Sequence, residues 1–129
     1  MAEASAHGST VMVVDDNPEF LHLMELMLKH AGYRPMLAQT AMAAMDLLET
    51  NRPVAILLDI MMPVRSGFEF LENLRWDSRF GEIPVVVVTA MTLGDEEKEF
   101  LSEFSTAWLD KAEVENVVPL LEKLLMDAK

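Results

Sequence analysis

Five side chains stand out for what they could do together. Asp15 and Asp16 close the apolar run TVMVV, Asp59 closes VAILL, Thr89 closes IPVVVV, and Lys111 follows AWL by one residue. Three carboxylates brought within a few ångströms repel one another and resist ionising unless a hard cation or an ammonium offsets them. Mg²⁺ suits that task, because it takes one or two carboxylates and keeps places for water and phosphate oxygens. Lys111 would add a point charge and Thr89 a hydroxyl. A carboxylate nucleophile, a metal, an ammonium and a hydroxyl together describe a site for forming an aspartyl phosphate.

Such a site needs elements that carry these residues to one place. Thr10 to Val14 reads as a buried strand, and Asn17-Pro18 then reads as a helix start, with Asn17 as the cap and Pro18 at the first helical position, where its missing N–H costs nothing. Phe20, Met24, Met27, Leu28 and Ala31 form one stripe on that helix, and Gly32 ends it. The second strand, near Tyr33 to Ala38, contains Pro35 and is expected at a sheet edge, since a central strand would lose a ladder bond there. A helix from Thr40 carries Ala41, Ala44, Met45 and Leu48, and Val54 to Leu58 has strand composition throughout. Ser66-Gly67 opens a third helix with Phe68, Leu71 and Leu74. Ile83 to Ala90 is the most β-branched run, and an acidic helix from Asp95 to about Phe104 comes next. A short strand around Ala107 to Leu109 and a last helix with Val114, Val117, Val118, Leu121 and Leu125 complete five β–α repeats.

Runs that are apolar throughout imply strands covered on both faces, as in a parallel sheet sandwiched by helices. The fold class is therefore α/β, doubly wound. Ligands in such sheets sit outside the carboxyl ends of the strands, where strand order reverses. The five polar residues all stand at that edge.

Composition narrows the partners. A chain of 129 residues with 51% apolar content fits one folded unit, expected over 10–127 with a loose tail at 1–9. A net charge of −12 repels a phosphate backbone, so direct nucleic-acid binding is not expected. Without Cys there is no thiolate chemistry, no Cys-based zinc site and no disulfide, and a reducing cytoplasm is the expectation. Membrane insertion is not expected either, because no stretch approaches the roughly 18 apolar residues of a span.

The motifs VVDDN at 13 to 17, LLDIMMPVRSG at 57 to 67, VVVVTA at 85 to 90 and WLDK at 108 to 111 resemble the receiver domains of two-component response regulators, including the single-domain chemotaxis type. The resemblance runs from about Val11 to Leu125. It implies a flavodoxin-like five-stranded parallel sheet of order 2-1-3-4-5 with five helices on two faces. It also implies that Asp59 is the phosphoacceptor, taking a phosphoryl group from a phosphohistidine of a sensor kinase or phosphotransfer protein. Mg²⁺ would be held by the side chains of Asp16 and Asp59, the backbone carbonyl of Met61, and Asp15 through water. Lys111 would pair with Asp59 and then with the phosphate. Thr89 would turn onto a phosphoryl oxygen while the side chain of Trp108 rotates, and the fourth helix, fifth strand and fifth helix would face a downstream protein. The chain would not be an enzyme beyond self-catalysed phosphotransfer and dephosphorylation. With no chain left after the fifth helix, the signal is expected to pass by docking or by handing on the phosphate, and a phosphorylation-linked dimer stays open.

Four positions depart from the family pattern. Trp108 stands where Tyr, Phe or His is usual, and its indole is harder to turn inward. Ala112 replaces the customary Pro after the lysine, and a cis bond there would cost about 2.5–4 kcal/mol without proline. Phe104 replaces a glycine at the end of the fourth helix, so the left-handed cap is disfavoured. Met61 and Met91, beside the phosphoryl position, are both apolar and cannot align a hydrolytic water. Slow self-dephosphorylation follows.

Each of these features also has a plainer reading. Asp15, Asp16 and Asn17 alone fit a plain capping turn, Thr89 a strand residue, Trp108 a core aromatic and the methionines core filler. His22 and His30 read as solvent-facing, and Arg65 and Arg75 as surface charge. A phosphorylation-independent adaptor would be expected to lack an acid or the lysine, and all are present. A magnesium-dependent phosphatase of the haloacid-dehalogenase type needs an acid two residues after its nucleophile, where Met61 stands.

Overall fold

The computed structural model describes residues 9–62 and 67–127. Among the described residues, five strands, β1 (Thr10–Val14), β2 (Arg34–Ala38), β3 (Ala55–Leu58), β4 (Val85–Thr89) and β5 (Ala107–Asp110), alternate with five α-helices, α1 (Pro18–His30), α2 (Ala41–Leu48), α3 (Gly67–Trp76), α4 (Asp95–Phe104) and α5 (Val117–Asp127). The strands pair in parallel in the order β2-β1-β3-β4-β5, as expected. β-branched and aliphatic side chains favour the extended backbone, and every residue of β3 and β4 is buried.

Side chains alternate across the sheet, so each central strand feeds two cores. Met12, Val14, Ile56, Leu58, Val85 and Val87 pack under α2, α3 and α4. Val11, Val13, Leu57, Val86 and Val88 pack under α1 and α5. Burying one such aliphatic side chain stabilises the fold by about 1.5–3 kcal/mol. Pro35 lies on β2, an edge strand, opposite Val11.

Local chemistry sets the helix ends. The side chain of Asn17 accepts the N–H groups of Glu19 and Phe20 at 2.9 and 3.2 Å, with Pro18 opening α1. At the other end Gly32 takes φ 96°, and its N–H and that of Tyr33 donate to the carbonyls of Lys29 and Leu28. This left-handed residue suits glycine because a Cβ would clash. On α1, Leu21, Met24 and Leu28 are the buried residues.

One expectation needs correction. Val114 is not on the last α-helix but on a 3₁₀ turn, Lys111–Asn116. There the Asp110 carboxylate accepts the N–H of Ala112 at 2.8 Å, and Glu113 leaves helical geometry at φ −104°, ψ 30°. Pro119 then sits in the first turn of α5, where no N–H is required. The Lys111-Ala112 bond is trans. At Phe104, α4 closes without a left-handed residue: Ser105 is extended, and both its N–H and its hydroxyl donate to the Leu101 carbonyl at 2.9 and 2.7 Å. Ser9, placed in the expected tail, already accepts the N–H of Arg34 at 2.9 Å. The rest of that tail, and Pro63 to Ser66 with Arg65, lie outside the described residues.

Candidate functional site

Register carries the five polar residues to one edge. Val14 stands opposite Leu58, and the Asp59 N–H donates to the Val14 carbonyl at 3.0 Å. Asp15 and Asp59 therefore leave neighbouring strands side by side. On the far side of β3, Leu58 pairs with Val87 and Thr89 pairs with Asp110, so Thr89 and Lys111 arrive at the same rim. The sheet order reverses between β1 and β3, where crevices form in doubly wound folds.

Among the described residues, the buried polar side chains are Asp15, Asp59 and Thr89, exposed by 1%, 5% and 2%. Burying a carboxylate is tolerable only with counter-charge and hydrogen bonds. Both are present. Lys111 Nζ lies 2.8 Å from Asp15 Oδ2 and 3.1 Å from Asp59 Oδ2. The remaining oxygens, Asp15 Oδ1 and Asp59 Oδ1, accept the N–H groups of Asn17 and Met61, each at 2.9 Å. The lysine thus sits between two acids, and nearer to Asp15 than to Asp59.

Burial pushes the Asp15 carboxyl above its ordinary pKa; the Lys111 ammonium and the Asn17 N–H pull it back, and the Asp59 charge adds to the upward push. For Lys111, burial pulls the ammonium down, but the hydrogen bonds and charges of Asp15 and Asp59 more than reverse this, and its pKa is raised. Each acid has become part of the other's environment.

Asp16 stands exposed at the mouth, and Asp15, Asp16 and Asp59 each offer an oxygen within 4.8 Å of the others. Asp15 Oδ2 is buried, and among the described residues the ammonium is its one close partner. An all-oxygen cluster with an under-satisfied lone pair fits a hard divalent cation.

Thr89 Oγ1 accepts the N–H of Met91 at 3.2 Å, which leaves the hydroxyl proton free to be donated elsewhere. Thr89, Met91, Lys98, Trp108, Asp110 and Glu113 line one groove of about 390 Å³. Trp108 is half-buried there and packs against the core under α3 and α4. The Met61 side chain is 53% exposed.

Two residues have roles that the sequence reading missed. Arg75, taken as surface charge, is half-buried: its Nε donates to the Phe104 carbonyl at 2.7 Å and its Nη1 to those of Gly81 and Ile83 at 3.1 and 2.7 Å. Phe20, taken as part of a core stripe, has its ring 4.3 Å from Lys111 Nζ. Its signal was an aromatic in the first turn of a helix that starts directly after an acid pair.

A family model described as the response regulator receiver domain matches residues 11–117. The chain belongs to that family. It is 37% identical over 90 residues to the polar-differentiation response regulator DivK of Brucella anthropi, an alignment covering 69% of this chain and 73% of that protein. It is also 37% identical over 86 residues to the response regulator Rre1 of Synechocystis sp., covering 66% of this chain and 37% of that protein. Among solved structures it resembles chemotaxis protein CheY4 of Vibrio cholerae, with TM-score 0.81 and 28% identity over 89% of this chain and 97% of the other. The receiver domain of sensor histidine kinase PA1611 from Pseudomonas aeruginosa, which carries a magnesium ion in its active-site cleft, matches with TM-score 0.73 and 28% identity over 85% and 93%. Receiver domains are regulators of two-component systems, which pair them with kinases or phosphotransfer proteins, and are not enzymes in the ordinary sense. No helix among the described residues is long and apolar enough to cross a membrane.

Proposed function

We propose that this receiver domain, residues 10–127, takes a phosphoryl group on Asp59 from a phosphohistidine of a sensor kinase or phosphotransfer protein. The observation that carries this is Asp59 itself: a carboxylate exposed by 5%, with one oxygen on the Met61 N–H and the other on the Lys111 ammonium. A carboxylate oxygen attacks phosphorus, the new O–P bond forms as the P–N bond to the donor imidazole breaks, and the electron pair stays on that nitrogen. No proton need move when the second ring nitrogen carries one. Asp16, Asp59 and the Met61 carbonyl would hold Mg²⁺, with Asp15 acting through water, and the ion when bound would offset the charge of the phosphoryl oxygens.

Lys111 remains to meet the incoming anion, and Thr89 donates its hydroxyl to a phosphoryl oxygen. Phosphorylation adds roughly two negative charges at one spot, and it signals only if two arrangements contact that charge differently. Thr89 and Trp108 share a groove beside α4 and β5, so a move of the threonine alters the space open to the indole. The face of α4, β5 and α5 is the output surface in this reading.

Incubating the protein and Asp59→Asn with Mg²⁺ and phosphoramidate, then weighing them intact, tests the acceptor. The wild type gains one phosphate mass and the variant none; a gain in both overturns the assignment. With apolar Met61 and Met91 beside the site, the phosphorylated form decays slowly after donor removal, and rapid decay without an added phosphatase contradicts that part.

A further inference from the structure

Lys111 has a third neighbour besides its two carboxylates. Phe20 is the third residue of α1, whose first turn is fixed by Asn17 accepting the Glu19 and Phe20 N–H groups. Helical side chains lean toward the N-terminus, so the half-buried ring hangs back over the exit of β1. There its centroid lies 4.3 Å from Lys111 Nζ, inside the ~6 Å reach of a cation–π contact.

We propose that Phe20 is a positioning residue, whose ring face holds the Lys111 ammonium beside Asp59 while the carboxylates change partners. The inference rests on the phosphoacceptor reading above. The ammonium's other holds are Asp15 Oδ2 at 2.8 Å and Asp59 Oδ2 at 3.1 Å. Those carboxylates are also the groups that a divalent cation and a phosphoryl group would claim. Once the cation arrives, the electrostatic hold of the carboxylates on the lysine weakens, and its four-carbon stem has many other rotamers to adopt. A phenyl ring offers neither a lone pair nor a charge to a hydrated cation or an anion, so its attraction for the ammonium survives both. The lysine is then in place when negative charge develops on the transferring oxygens, which is where preorganised charge accelerates a reaction. Leucine at 20 would fill the space without the negative ring face.

The experiment places phenylalanines bearing one, two or three ring fluorines at position 20 of the full chain, since fluorine drains the ring face while nearly keeping its shape. Phosphorylation by phosphoramidate with Mg²⁺ is followed by intact mass, and stability by urea unfolding. The rate falls stepwise with fluorine count at unchanged stability, Phe20→Leu is slower by about five-fold, the rate equivalent of one such contact, and Phe20→Tyr stays close to wild type. In the unphosphorylated protein, the Lys111 ε-methylene protons are shifted upfield by the ring current with and without Mg²⁺, and the shift disappears in Phe20→Leu. Equal rates across the fluorinated series, or loss of the upfield shift when Mg²⁺ is added to wild type, overturn the proposal. A phosphate mass gain in Asp59→Asn overturns the acceptor reading instead, by a measurement in which Phe20 has no part.

Discussion

Replacing Lys111 by methionine keeps most of the stem's volume and removes the charge between two buried acids. The structure sets the scale. Attraction across 2.8 and 3.1 Å comes to about 5–6 kcal/mol for each pair at an effective dielectric of ~20, and desolvation of the ammonium cancels much of it. Breaking a buried pair costs about 3–5 kcal/mol, and because Lys111 keeps 20% exposure the lower end, about 3 kcal/mol, is expected near neutral pH. In urea, with m of about 2 kcal/mol/M, the midpoint falls by about 1.5 M. The pH dependence has a definite sign. Burial holds the Asp15 carboxyl above its ordinary 3.8, so the native state binds that proton more tightly than the unfolded chain, and stability falls as pH rises from 3.8 through the native pKa. Lys111→Met removes two causes that lower this pKa, so the loss deepens and extends to higher pH. The gap between variant and wild type is therefore smaller near about pH 4.5, closer to where Asp15 takes up its proton, than near about pH 7.5. Urea midpoints of both proteins at the two pH values decide the matter. A gap of equal size at both, or a variant more stable than wild type at neutral pH, refutes the reasoning.

Gly67→Ala tests how tightly α3 sits under the acceptor loop. A Cβ there would stand 2.3 Å from Ile60 Cα and 2.6 Å from the Asp59 carbonyl, and backbone cannot swing aside as a side chain can, so a loss of about 1–3 kcal/mol is expected, with slower phosphorylation; an unchanged urea midpoint would contradict it. Arg75→Met removes the donors that tie the Phe104, Gly81 and Ile83 carbonyls together, with a loss of about 2–3 kcal/mol. Amide exchange should accelerate at the end of α4, around Ser105, and unaltered protection there would argue that Arg75 is not a clamp.

How much of this was legible follows from the range over which each force acts. Asn17, Pro18, Gly32 and Thr40 mark helix ends by bonding or conformational preference within a few residues, and these boundaries stood in the sequence. Solid apolar runs ending in Asp15, Asp59 and Thr89 announced a parallel sheet with its chemistry at the carboxyl edge, because burial on both faces leaves no polar position except at strand ends. Val114 was misplaced since a periodic apolar residue looks alike on a 3₁₀ turn and on an α-helix, and the capping by Asp110 that decides between them leaves a faint trace. Arg75 was misread because a charge near a helix end gives no sign of the carbonyls waiting 6, 8 and 29 residues away.

Local preference and water's exclusion from apolar surface already set the element order, the two-sided core and which residue types gather at one rim. That Lys111 lies between Asp15 and Asp59, with the ring of Phe20 against its ammonium, is visible only once the chain is folded. Those contacts join residues some 50 to 100 positions apart, and no periodicity along a chain encodes the angle at which two distant side chains meet.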